Sequence, residues 1–333
     1  MVRRYRLNVD IGHRAIGLVA LESEGSTFSA EAMAACTAAD GLILGPVDTF
    51  IYPAPAEGGI NPSAALRTGL DLYANVRPAK ARPSVRALTP DMDLVIVREN
   101  TEGFYADRNM FQGSGEFMPS PDMALAVRKV TISSSRRIAR SALELARARR
   151  KHLTIIHKAN VLKVSDGLFL RTCQEEAKTF PDITVDELIV DAAAAMLVRK
   201  PGSFDVLVAT NMFGDILSDE AGELSGGLGL APSINAGDRH AMAQAVHGSA
   251  PDIAGRGVAN PTALIGSVAL LLEWLGQRGG HNDLISASAG VRTALDQVLA
   301  DPTNHTADLG GSVQTDAFGD LVARAVADSN NPT

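Results

Sequence analysis

Short apolar runs alternate with longer amphipathic stretches along most of this 333-residue chain, which leaves few architectures open. The runs at 6–9, 42–44, 94–98, 127–132, 153–157, 183–190 and 204–209 read as strands. Between them 29–38, 134–149, 165–180 and 191–200 read as helices, and 261–275, 284–299 and 315–328 close the chain with three more. Alternation of this kind implies an α/β fold, with helices packed on a largely parallel or mixed sheet. The length allows a large core divided into two lobes. The glycine-rich turn Gly226-Gly227-Leu228-Gly229-Leu230-Ala231-Pro232 suits a hinge between them. Residues 112–121 read as an irregular insertion of the kind used as an arm in subunit contact. No Gly-x-Gly-x-x-Gly follows any strand, so the chain is not read as a Rossmann fold.

The stretch 211–219, Asn-Met-Phe-Gly-Asp-Ile-Leu-Ser-Asp, reads as the start of a helix with Asp215 and Asp219 four residues apart. That spacing stacks both carboxylates on one face, roughly 5–6 Å apart at Cβ. Two acids so placed repel unless a cation lies between them, and hard oxygen donors suit Mg²⁺ or Mn²⁺. The plainer alternative is a solvated acidic face capped by Asn211. A net charge of −7 argues against a general nucleic-acid binder, and the arginine-rich stretch 136–151 contains Glu144 and reads as a solvated helix face. Cys36 and Cys173 lie far apart without metal spacing, as expected of a reduced, cytoplasmic protein. No signal peptide is read, and the apolar run around 267–272 is too short to span a bilayer.

Four further segments and the acidic helix occur in a fixed order: Leu-Asp-Leu-Tyr-Ala-Asn-Val-Arg-Pro (70–78), Arg-Glu-Asn-Thr-Glu-Gly-Phe-Tyr (98–105), His-Lys-Ala-Asn-Val-Leu-Lys (157–163), the acidic helix, and His-Gly-Ser-Ala-Pro-Asp-Ile-Ala-Gly (247–255). Together they resemble the β-decarboxylating dehydrogenases, the isocitrate/isopropylmalate dehydrogenase family, from about Asp10 to Asp320. The resemblance implies a two-lobed α/β/α fold with a mixed sheet. It divides the chain into a discontinuous cofactor-binding domain at 1–72 and 226–333 and a substrate, metal and dimerisation domain at 73–225. It also implies a homodimer with shared active sites, no nucleic acid and no membrane.

The implied reaction is oxidation of a 3-substituted malate at C2 by hydride transfer to NAD, followed by loss of the C3 carboxylate as CO₂. A substrate with two or more carboxylates needs guanidinium forks, and Arg67, Arg77 and Arg98 match the family's carboxylate-binding positions. Taken singly, each is an ordinary salt bridge. Lys158 matches the base at O2, aided by Asp191, and both reach the site from the opposite subunit in the family. Tyr105 matches the residue that protonates C3. Asp191, Asp215 and Asp219 match the ligands of Mg²⁺ or Mn²⁺. His247, Gly248, Ser249, Ala250, Asp252 and Ile253 resemble the adenosine loop, with Asn260 as an adenine-side contact and Thr49 near the nicotinamide. Asp252 accepts from a ribose hydroxyl pair and repels a 2′-phosphate, which points to NAD rather than NADP. Leu44 stands where many relatives carry lysine.

Substrate choice in the family is set on the helix leading to Arg67, here Asn61-Pro62-Ser63-Ala64-Ala65-Leu66-Arg67. Asn61 and Ser63 favour a polar C3 substituent, isocitrate- or homoisocitrate-like, and leave isopropylmalate, tartrate and D-malate open. A non-catalytic or regulatory paralogue is the rival expectation, opposed by the intact set of arginines, acids, base and tyrosine. One departure stands out: relatives begin with a strand and a Gly-Asp-Gly-Ile-Gly-Pro-Glu turn that this chain lacks. Two expectations follow: either the true N-terminus lies upstream of Met1, or the cofactor lobe is shortened and has an exposed sheet edge or a gap in its core.

Overall fold

Residues 1–105, 110 and 113–328 are described by a computed structural model. The chain forms two compact units, Met1–Asp71 with Arg82–Ala87 and Gly226–Thr333, and Leu72–Ala81 with Leu88–Ser225. The first unit begins with α1 (Val2–Tyr5), α2 (Leu18–Glu24), α3 (Ala30–Ala38), β1 (Leu42–Ile43) and α4 (Pro62–Gly69). The second holds β2 (Ala74–Lys80), β3 (Asp93–Glu99), β4 (Glu116–Ser120), β5 (Met123–Ala126), α5 (Ile132–Arg147), β6 (His152–His157), α6 (Ser165–Ala177), β7 (Thr184–Ile189), α7 (Val190–Arg199), β8 (Val206–Ala209) and α8 (Asn211–Leu224). The chain then returns to the first unit with β9 (Ile234–Ala236), β10 (Ala241–Ala243), α9 (Thr262–Gly279), α10 (Asn282–Leu299) and α11 (Thr315–Asp328).

Helix starts follow local chemistry. Ser29, Asn61 and Thr131 each accept a hydrogen bond from the backbone N–H three residues on, at 3.2 Å, and so set the first turns of α3, α4 and α5. The Thr131 cap also explains one difference from the sequence reading. The run 127–132 is not a strand: α5 begins at Ile132, and Lys129 makes only an isolated antiparallel bridge to Gly103. Nor is 6–9 a strand. Leu7 instead packs beside Leu272 and Ala287, burying one side chain without a ladder. The insertion at 113–121 is more regular than expected, because β4 and β5 pair as an antiparallel hairpin; residue 112 lies outside the described residues.

In the second unit the strand order is β2-β3-β8-β6-β7. β2 runs antiparallel to β3, while β3, β8, β6 and β7 are parallel. Alternate side chains divide between the two faces, as strand geometry requires. Val95, Val97, Leu153, Ile155, Val206 and Val208 enter the core beneath α5 and α6. Leu94, Ile96, Ile156, Leu207 and Ala209 enter the core beneath α7 and α8. Burial on both faces explains why these strands read as continuous apolar runs. The parallel arrangement also brings the C-terminal ends of the four strands to one edge, where Arg98 is the last residue but one of β3 and Lys158, Asp191 and Asn211 follow their strands. Ligands of open α/β sheets bind at that edge.

The first unit has β1 parallel to β10 and β10 antiparallel to β9, with α9, α10 and α11 forming its largest core. Val85 of the returning segment Arg82–Ala87 joins that core, which assigns the segment to this unit. Among the described residues no helix is long and apolar enough to cross a membrane.

The approach of α8 to β3 depends on one residue. A Cβ at Gly214 would lie 2.7 Å from the Cβ of Arg98 and 3.1 Å from its Cα. A helix with a side chain there must move off the strand. Gly214→Ala is therefore expected to destabilise the second unit by about 1–3 kcal/mol despite alanine's better helix propensity. Urea unfolding checks this, and a midpoint at or above the wild-type value would contradict it.

Candidate active site

Arg98 ends β3 with only 2% of its surface exposed, so each of its donors must be met inside the fold. Nε donates to Asn211 Oδ1 at 2.9 Å, Nη1 to Asp215 Oδ1, and Nη2 to the Tyr105 hydroxyl at 3.0 Å. Tyr105 in turn donates to Asp215 Oδ2 at 2.7 Å. Arg77 lies in the middle of β2, two residues from Asn75, which pairs opposite Arg98. Its Nε donates to Asn75 Oδ1 at 2.6 Å, and its Nη1 to Ser218 Oγ at 2.8 Å and Asp219 Oδ1 at 2.9 Å. Nη1 also lies 3.1 Å from Asp215 Oδ1.

Two guanidiniums thus face two carboxylates on successive turns of α8. Burial, reinforced by the like charge of Arg98, lowers the Arg77 pKa to about 10 against the pull of Asp215 and Asp219, and it stays a cation at neutral pH. Burial raises the Asp219 pKa, with repulsion from Asp215 adding to it against the pull of Arg77 and Arg98. Asn211 does not cap α8. The N-cap is Thr210, and the buried Asn211 side chain accepts from Arg98 and donates to the Glu102 carbonyl at 2.8 Å.

Lys158, in the turn after β6, sits apart from this cluster with its Nζ on Asp191 Oδ1. Its ammonium holds the exposed Asp191 carboxyl below its usual range. Among the described residues no group of three or more His, Cys, Asp or Glu is placed to hold a metal ion. Asp215 and Asp219 are hard oxygen donors of the type a dication such as Mg²⁺ or Mn²⁺ takes, while Asp191 of the same chain is paired with Lys158.

The other expected residues belong to the first unit. Ser63 Oγ and Arg67 Nη2 both donate to Gln244 Oε1, at 3.2 and 3.1 Å. Asn61 is exposed and caps α4. Thr49 opens a short 3₁₀ turn whose N-cap, Asp48, accepts from Phe50 N–H at 3.2 Å. In the loop after β10, His247 Nδ1 lies 2.9 Å from the Gly248 carbonyl and Ala250 takes a left-handed conformation before the 3₁₀ turn Pro251–Ile253. Asp252 is exposed there. Asn260 is buried and serves the fold: Oδ1 accepts from Thr262 N–H and Nδ2 donates to Asp308, both at 3.0 Å.

Four residues of these clusters escape a reading of the sequence: Asn75, Asn211, Ser218 and Gln244. Asn211 and Ser218 lie four before and three after Asp215, on its helix face, and Asn75 lies on Arg77's strand face, so spacing could have found them. Nothing in the sequence pairs Gln244 with Ser63 and Arg67.

The profile described as isocitrate/isopropylmalate dehydrogenase matches residues 1–322. The chain is 41% identical over 314 residues to the 3-isopropylmalate dehydrogenase of Saccharolobus solfataricus, spanning 94% of this chain and 88% of that one. It is 50% identical over 262 residues to the isocitrate/homoisocitrate dehydrogenase of Thermus thermophilus, spanning 78% and 73%. The crystal structure of isocitrate dehydrogenase from Methylococcus capsulatus shares the fold with a TM-score of 0.86 at 38% identity, covering 98% of this chain and 93% of that one. With the five motifs in order, the α/β architecture and the arginine–aspartate cluster at the strand ends, this chain belongs to the isocitrate/isopropylmalate dehydrogenase family.

Proposed function

We propose that the protein is an NAD-dependent β-decarboxylating dehydrogenase of a 3-substituted malate, with an isocitrate- or homoisocitrate-like acid favoured by Asn61 and Ser63. The observation that carries this reading is the cluster of Arg77, Arg98, Tyr105, Asp215 and Asp219 beside the C-terminal end of β3. Arg77 and Arg98 present planar forks suited to the substrate's carboxylates, and they already lie in a desolvated setting where such contacts are strong. Arg67 is the proposed carboxylate contact from the first unit. Lys158, held by Asp191, takes the C2 hydroxyl proton as the neutral amine, having first given up its own proton to solvent. Tyr105 returns a proton at C3, and the Arg98 N–H on its oxygen stabilises the phenolate left behind. When bound, Mg²⁺ or Mn²⁺ supplies Lewis acidity toward the C2 oxygen and the C1 carboxylate, and NAD⁺ supplies the hydride acceptor.

Asp215 and Asp219 are the proposed metal ligands of one chain, with Asp191 arriving from a second copy together with Lys158. The pairing of Asp191 with Lys158, rather than with Asp215 or Asp219, supports this reading. The working unit is thus proposed to be a homodimer. In the first unit, Thr49, His247, Gly248, Ser249, Ala250, Asp252, Ile253 and Asn260 are the proposed NAD contacts.

A screen of NADH production over isocitrate, homoisocitrate, isopropylmalate, tartrate and D-malate, with and without Mn²⁺, tests the reaction. Turnover of none of the five, or full turnover under thorough chelation, would refute the reading. Asp219 is half exposed and Asp215 is the nearer counterion of buried Arg98, so their variants should separate function from fold. Asp219→Asn is expected to lower turnover by about a hundredfold while leaving the melting temperature near wild type. Asp215→Asn should lower both, costing about 1–3 kcal/mol of stability as buried Arg98 loses its carboxylate. Calorimetry alongside steady-state rates distinguishes the two.

NAD⁺ should be preferred over NADP⁺, and Asp252→Lys should narrow or reverse that preference by replacing repulsion of a 2′-phosphate with attraction. Because Asp252 is exposed in a short turn, the change should leave the fold intact. Equal use of both cofactors by the wild type would count against the assignment.

A further inference from the structure

Arg128 and Asp166 form a buried ion pair that the reaction outlined above does not use. Asp166 stands in the first turn of α6 with its side chain fully enclosed, and Arg128 is 8% exposed. Enclosing two charges is costly unless nearly every lone pair and donor is matched. Here they are matched, and the partners are unusual. Asp166 Oδ1 accepts from Arg128 Nη1, and Oδ2 accepts from the backbone N–H of Lys158 at 2.6 Å. Arg128 Nη1 also reaches Ser165 Oγ at 3.4 Å, and Nη2 donates to Thr210 Oγ1 at 2.9 Å. The guanidinium lies over the rings of Phe104 and Phe213, 5.6 and 5.2 Å from their centroids.

Each partner adjoins a residue of the proposed chemistry. Phe104 precedes Tyr105, Phe213 lies two residues before Asp215, and Thr210 is the N-cap of the helix carrying Asp215 and Asp219. The Thr210 hydroxyl makes no capping bond to its own helix. Lys158 is anchored at both backbone groups: its N–H on Asp166, and its carbonyl by the N–H groups of Val161 and Leu162 at 3.0 and 2.8 Å. The lysine is therefore aimed from a fixed Cα although its turn is partly exposed.

We propose that Asp166 and Arg128 are positioning residues, a buried pair that fixes the Lys158 backbone to the body of its own chain, from which the lysine enters the site of the second copy. The proposal rests on Lys158 being the base at O2. A carboxylate can serve the Lys158 amide and the guanidinium together, because each oxygen takes one. A carboxamide has a single acceptor oxygen and must abandon one of them.

Asp166→Asn, Arg128→Lys and Lys158→Met are compared in the full-length protein, with NAD⁺, Mn²⁺ and whichever of the five acids the wild type turns over. Asp166→Asn is expected to lower kcat by about ten- to a hundredfold with KM changed less than about threefold, as misplacement of a base by a fraction of an ångström does. Its solvent deuterium isotope effect on kcat should rise, because proton transfer to Lys158 becomes slower than the other steps. A kcat at the wild-type value, or a lowered kcat with an unchanged isotope effect, overturns the proposal, since fewer intact molecules leave that ratio untouched. Should Asp166→Asn fail to fold, Arg128→Lys decides by the same two readings: it keeps the charge opposite Asp166 but cannot also reach Thr210 as a planar fork. Lys158→Met separates the layers. A loss of less than about tenfold shows that Lys158 is not the base and removes the premise. A loss above about a hundredfold beside a wild-type-like Asp166→Asn overturns the positioning role alone.

Discussion

A guanidinium kept from water must be answered by acceptors on every side, and in this protein that requirement falls on Arg98. Its three donor atoms reach Asn211, Asp215 and Tyr105, so one side chain at the end of β3 ties the strand to the first two turns of α8 and to the loop after β3. Gly214 makes the arrangement possible by letting the helix backbone rest on the arginine's own Cβ. The second guanidinium, Arg77, repeats the pattern on the neighbouring strand with Asn75, Ser218 and Asp219. The result is a set of paired, oriented charges at the end of the sheet, on which the proposed function rests.

The sheet supplies the rest of the constraint. Four parallel strands of the second unit, three of them buried on both faces, end at one edge and deliver Arg98, Lys158, Asp191 and Asn211 there. Two of those residues join the arginine–aspartate cluster and two form a pair of their own, Lys158 with Asp191. The separation has a physical basis: α7 and α8 follow strands at different places in the order β2-β3-β8-β6-β7. In the first unit Gln244 accepts from Ser63 and Arg67 at once. One neutral acceptor thus orients both the Ser63 hydroxyl and the Arg67 guanidinium.

Much of this was legible beforehand. The helices at 29–38, 165–180, 284–299 and 315–328 carry apolar periodicity and recognisable first turns, and they form with shifts of a few residues at their ends. The strand at 94–98 is legible because burial on both faces leaves an unbroken apolar run. β2 is not, since Arg77, Pro78 and Lys80 interrupt the pattern that its pairing with β3 imposes. The run 127–132 misleads for the opposite reason: its apolar residues belong to a lone bridge and the entry to α5, where Thr131 caps the helix. Within the site, the acids at 215 and 219 are visible from their spacing, as are Arg77 and Arg98 from their motifs. Asn211 reads as a cap and becomes instead an acceptor for Arg98.

The amino-acid sequence alone determined the α/β class, the family and the identity of the ionisable residues, because periodicity and motif order are properties of neighbours along the chain. Which charges answer which was settled only by tertiary structure. Arg77 lies 138 residues before Asp215, Arg128 lies 38 before Asp166, and Gln244 lies 177 after Arg67. No local spacing encodes such pairs. They exist because strand register and helix packing bring the groups together, and because burial obliges each charge to find a partner once it is there.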